Sequence, residues 1–128
     1  MTTNSRSLIY WAPRVLAIAF IGFLGLFALD VFNEGLGWLG TARALAIHLV
    51  PSIALAIVLA VAWRQEWVGA AFFGLAGAYY IWTIALRHDL PAGVRVNRCG
   101  AIAGPALLIA ILFWINWSMR GRAVAARP

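Results

Sequence analysis

The chain contains no lysine and only four acids, Asp30, Glu34, Glu66 and Asp89. Its single cysteine, Cys99, excludes an internal disulfide, a CxxC redox pair and a cysteine-built zinc site. A lone cysteine of this kind reads as a small packing residue at a helix start. No HExxH, no GxSxG and no carboxylate-rich phosphate or metal motif is present, so neither an enzyme nor a cofactor is expected. Charged residues make up 11% of the 128, against roughly 25% in globular domains. What fills the chain instead is apolar: 64% of it is hydrophobic. A soluble domain this small exposes too much surface to hide so much apolar side chain, so lipid is the expected solvent. The net charge of +6 comes entirely from ten arginines. A basic balance can serve nucleic acid. Here, however, the arginines punctuate the apolar runs, and no nucleic-acid partner is expected.

A spanning helix needs about 20 mostly apolar residues. Four stretches qualify: about 15–32, 44–63, 67–86 and 99–117, followed by a short basic tail, 118–128. Lipid forces the backbone to satisfy its own hydrogen bonds, so these are expected to be helices. The links between them are short, and short links make neighbours antiparallel. The expected fold is therefore all-α, an integral membrane protein with four transmembrane helices in an up-down-up-down antiparallel bundle forming one domain. The first run exceeds the roughly 7–15 residues of a signal-peptide core and lacks an A-x-A site, so it is expected to be retained. Pro13 is expected to start the first helix. All seven tryptophans fall near a predicted span end, as an aromatic belt requires. Arg6, Arg14, Arg64, Arg120, Arg122 and Arg127 fall on one face, and Arg43, Arg87, Arg95 and Arg98 on the other. That asymmetry points to a multi-pass protein of the plasma membrane with both termini cytoplasmic.

The stretch "FALDVFNEGLGW" sets Asp30 and Glu34 at the end of the first apolar run. His48 lies about one turn inside the second span, at a similar depth. If the helix continues, Asp30 and Glu34 share a face, and Arg43 stands at the mouth of the second span. Asp30, Glu34, Arg43 and His48 thus form a candidate polar cluster at the outer end of one helical hairpin. Charges in a bilayer pair with each other or face a polar interior. The first reading is a structural clamp in which Asp30 accepts from His48 or Arg43. Other readings are an outward-facing proton or ligand site tuned by His48, and a metal site, which the nearby arginine opposes. Pro51 frees the carbonyl of Ile47 and is expected to kink the second span, with Ser52 at hand.

Small residues mark the expected packing seams. Ala70, Gly74 and Ala78 form one small-xxx-small ridge, and Gly100 and Gly104 another. The ridges serve either contacts within one bundle or a homodimer.

The blocks "RVLAIAFIGFLGLFALDVF", "IHLVPS", "AWRQEW" and "GPALLIAILFWINW" occur in that order between Pro13 and Trp117. In this the chain resembles a family of small four-helix prokaryotic membrane proteins described only as a domain of unknown function. The resemblance implies the four-helix architecture and brings no catalytic residue. The link "RHDLPAGVRVNR" is longer and more polar than the family pattern. Two function classes stand foremost. One is an accessory or scaffolding protein acting through partner or lipid binding. The alternative is a small proton-coupled transporter with an outward-facing Asp/His site. The expected partners are the lipid bilayer and either another membrane protein or a second copy.

Overall fold

The computed structural model describes residues 3–33 and 35–125, with side chains described for 7–33 and 35–121. Glu34 and Arg127 lie outside the described residues, as do the side chains of Arg6 and Arg122. The described chain is all-helical: α1 (Thr3–Leu26), α2 (Gly37–Ala62), α3 (Glu66–Ala85), α4 (Ala92–Arg98) and α5 (Gly104–Ala125). A 3₁₀ turn, Leu29–Asn33, follows α1, and a π-helical segment, Cys99–Ala103, joins α4 to α5. Four helices are long and apolar enough to cross a membrane: Ser7–Asn33, Gly37–Ala62, Glu66–Ala85 and Ala92–Gly121. Only 17–33% of each apolar window is buried inside the protein, so most of the apolar side chains face outward.

Four element ends differ from the expectation. α1 begins at Thr3, so Pro13 lies inside it rather than at its start. The α-helix then stops at Leu26, and the turns tighten through Phe27 N–H to Leu24 C=O (3.3 Å) and Ala28 N–H to Gly25 C=O (3.1 Å). Gly35 and Gly37 follow with φ of +63° and +69°, a backbone that L side chains rarely adopt. Asp30 therefore sits in a 3₁₀ turn and not on a continuing α-helix. α2 starts about two turns earlier than expected, at Gly37. The polar link after α3 also shrinks, because Pro91 precedes a helical turn at Ala92 and the fourth long helix gains α4.

Pro105 accounts for the π segment. It supplies no N–H and its ring crowds the carbonyl four residues back, Ala101. A wider turn over Cys99–Ala103 accommodates both.

The long helices form a ring. α1 touches α2, α2 touches α3, α3 touches α5, and α5 touches α1. Among the described residues the backbones across either diagonal, α1 to α3 and α2 to α5, do not approach. The core fills one half of the ring, with Ala17, Phe20, Leu59, Ala62, Phe73 and Phe113 among its members. Phe73 and Phe113 stack with centroids 6.2 Å apart.

The α3–α5 seam is closest. A Cβ on Gly69 would lie 2.8 Å from the Phe113 ring and 2.9 Å from Ala62 Cβ. One on Gly77 would lie 2.9 Å from Leu107 and 3.4 Å from the Ala103 carbonyl. Position 69 thus meets 113 while 77 meets 103 and 107, so α3 and α5 run in opposite directions along this seam. Of the expected ridges, Gly74 makes an ordinary contact with Ala110, at 3.6 Å for an added Cβ, and Ala70 packs against the core. Ala78, Gly100 and Gly104 are exposed, and a Cβ on either glycine would meet nothing within 4 Å. The seam instead uses Gly69 and Gly77, because these face Phe113 and Leu107.

Gly69→Ala is expected to cost about 1–3 kcal/mol by overpacking. Gly22→Ala, in open space on α1, is expected to be neutral or stabilising by up to about 1 kcal/mol. Thermal unfolding of the two variants in detergent micelles measures the contrast.

Candidate functional site

Two polar regions occupy opposite ends of the ring. The first is built on Arg14, which is 0% exposed, and Glu66, which is 2% exposed. Arg14 Nη2 donates to Glu66 Oε1 at 3.0 Å and to the Trp63 carbonyl at 3.4 Å. Its Nη1 donates to the carbonyl of Tyr10, one turn back. The guanidinium carbon lies 3.6 Å from the Tyr10 ring centroid, within cation–π range. Arg120 Nη2 approaches the same Glu66 oxygen at 3.3 Å from a half-exposed side chain. Among the described residues, Arg14 Nε and Glu66 Oε2 have no hydrogen-bond partner.

Local structure explains the placement. Glu66 is the first residue of α3, where the helix dipole favours an acid. Trp63 directly follows α2, and its carbonyl is among those a helix end leaves open to a donor. Pro13 has no N–H for the carbonyl of Ile9, four residues back. Asn116 Nδ2 donates to that carbonyl at 2.9 Å. Proline in α1 and asparagine in α5 are thus complementary halves of one contact. Sequence reasoning read Arg14 as a flank and Glu66 as part of a link. The signal it passed over is arithmetic: on the predicted face that holds six arginines, Glu66 is the one acid.

The second region is a vestibule of about 930 Å³ at the other end of the ring. All four long helices line it. Its floor is apolar, with Phe20, Leu24, Leu55, Ile102 and Ala106 continuous with the core. Small residues, Ala76 on α3 and Ala101 in the π segment, leave this half of the ring unfilled. Its rim is polar and carries Asp30, His48, Tyr79, Tyr80, Asn97 and Arg98.

Asp30 and His48 line this vestibule from α1's 3₁₀ turn and from α2. Neither a hydrogen bond nor an ion pair joins them. His48 shares a 2.9 Å hydrogen bond with the Ala44 carbonyl, and a carbonyl can only accept, so Nδ1 carries the proton. In the neutral ring Nε2 is left as an acceptor. Arg43 is exposed and lies away from the lining. Pro51 lines the vestibule beside Ile47, while the buried Ser52 hydroxyl makes no hydrogen bond among the described residues. Among the described residues no three of His, Cys, Asp and Glu gather closely enough to hold a metal ion. Asp89 forms an exposed pair with Arg87 at 3.9 Å, outside both regions.

A family model described as a domain of unknown function (DUF7670) matches residues 1–126. The chain belongs to this family. No curated protein and no solved structure matches it. The DUF7670 match takes in both polar regions, since each draws on residues from α1 to the fourth long helix.

Arg14→Met in this DUF7670 chain leaves the Glu66 carboxylate buried. Arg120 is its one remaining cation among the described residues, and the expected cost is about 3–5 kcal/mol. Combining it with Glu66→Leu is expected to recover most of that loss, because two apolar groups then replace the whole pair. Arg120→Gln, at the half-exposed position, is expected to cost no more than about 1 kcal/mol. Detergent unfolding of the wild-type chain and these three variants measures the differences.

Proposed function

We propose that this chain is a multi-pass membrane protein that acts by binding lipid and not by catalysis. The observation that carries the reading is the vestibule: an apolar floor under a polar rim, the layout an amphiphile needs. Its volume falls within the roughly 300–1,000 Å³ of ligand sites.

In this reading the four long helices cross the bilayer up-down-up-down. The opposed run of α3 and α5 and the outward-facing apolar surface support that arrangement. All seven tryptophans are exposed, as interfacial anchors should be. The arginine asymmetry places both termini in the cytoplasm of a plasma-membrane protein, and the vestibule then faces the outer leaflet. The protein serves as an accessory factor that retains or presents lipid to a membrane partner.

A second reading, a small proton-coupled carrier, draws on Asp30 and His48 lining one vestibule with His48 Nε2 left as an acceptor.

Native mass spectrometry of the detergent-purified chain is expected to show a retained phospholipid. Ala101→Trp, which fills the vestibule from the exposed side of the π segment, is expected to remove it. Lipid retained equally by the variant would refute the vestibule as its site. Reconstituted vesicles with an imposed pH gradient separate the readings: the carrier alone dissipates the gradient, and does so less with Asp30→Asn. Green fluorescent protein fused after Pro128 is expected to fluoresce, and alkaline phosphatase fused there to stay inactive. The reverse pattern would overturn the orientation.

A further inference from the structure

We infer that the vestibule selects a zwitterionic phospholipid bearing a primary amine, of the phosphatidylethanolamine type. The inference rests on the reading of the vestibule as a lipid site and adds the headgroup.

The rim carries both signs of charge. Asp30 and Arg98 line the same space, yet no ion pair joins them, and neither is paired with any other described residue. Opposite charges that share a cleft without closing on each other leave room for a ligand carrying both. The donors come from one helix. Arg98 and Asn97 stand at the end of α4, directly before the π segment. A guanidinium and an amide offer N–H groups to phosphate oxygens, and arginine suits that geometry. The acceptors come from α1's 3₁₀ turn and from α2. Asp30 offers a carboxylate, and His48, its Nδ1 proton bonded to Ala44, offers the Nε2 lone pair. Those two acceptors suit an ammonium with N–H groups to donate.

A quaternary ammonium has no N–H to give Asp30 or His48. An anionic glycerol headgroup meets Arg98 equally well but sets no cation against Asp30. The acyl chains of any of these lipids find the same apolar floor of Phe20, Leu24, Leu55 and Ile102. Selectivity therefore resides in the rim, and occupancy in the floor.

The test is competitive. The purified chain is incubated in detergent with phosphatidylethanolamine, phosphatidylcholine and phosphatidylglycerol of identical acyl chains, and bound lipid is read by native mass spectrometry. Phosphatidylethanolamine is expected to be retained roughly tenfold over the other two, the ratio given by one charge-assisted hydrogen bond of about 1.4 kcal/mol. Asp30→Asn is expected to reduce that ratio towards one. Arg98→Gln is expected to lower retention of all three, since each carries the phosphate. Ratios are taken within one sample, so partial unfolding of a variant lowers every lipid together and leaves the ratio intact. Equal retention of the three lipids, or a ratio unchanged by Asp30→Asn, overturns the headgroup inference and leaves the lipid site standing. No lipid retained above the Ala101→Trp background overturns both.

Discussion

The ring depends on one side chain that reaches across its centre. The backbones of α1 and α3 do not touch, yet Arg14 on the first bonds Glu66 on the third at 3.0 Å. The same guanidinium also reaches the Trp63 carbonyl just past α2, and Arg120 on α5 shares the Glu66 oxygen. All four long helices thus meet at the buried Arg14–Glu66 pair. A buried pair of this kind adds little net stability over an apolar substitute, but separating its members is costly. Its geometry is met in one register of α1 against α3 and the end of α2. Helices whose apolar faces point outward gain from that restriction, because apolar faces alone give little preference among pairings.

The two halves of the ring divide their labour along the same axis. Near Arg14 the core closes on Phe73, Phe113 and Ala62, and Gly69 permits the close approach. Toward Asp30 the lining turns small, with Ala76, Gly77 and Ala101, and the helices enclose space rather than side chains. Two irregularities accompany the change: Pro51 within α2 and the π segment ahead of Pro105. Each lies where the vestibule begins. Wide turns of this sort are often found beside functional sites, and here one carries Arg98 and Asn97 at its head.

Much of the helical layout is legible in the sequence, because an apolar run of spanning length leaves the backbone few alternatives. The ends were harder to read. α1 extends ten residues before Pro13, and the helix tolerates it because Asn116, distant in sequence, takes the freed carbonyl. α4 lay in what reads as a polar link, since Arg95, Asn97 and Arg98 obscure a helix that begins after Pro91. Matching depths across antiparallel spans put Asp30 near His48, and both line one vestibule. Matching depth says nothing of which partner a side chain takes, and His48 bonds its own helix at Ala44. The Arg14–Glu66 contact was hidden for a related reason. An arginine at a helix end satisfies the rule for membrane flanks, and that rule is indifferent to which way the side chain turns.

The bond from Asn116 to the Ile9 carbonyl has a mechanical consequence. It ties α1 to α5 at Ile9, while Arg14, five residues on, ties α1 to Glu66 of α3 and to the Trp63 carbonyl, so α1 is fastened to two different neighbours near the same end. Asp30 lies sixteen residues beyond Arg14, past the end of the α-helix at Leu26. Among the described residues, the polar bonds that tie α1 to other helices therefore lie at one end, and apolar packing by Ala17, Phe20 and Val31 holds it toward the vestibule.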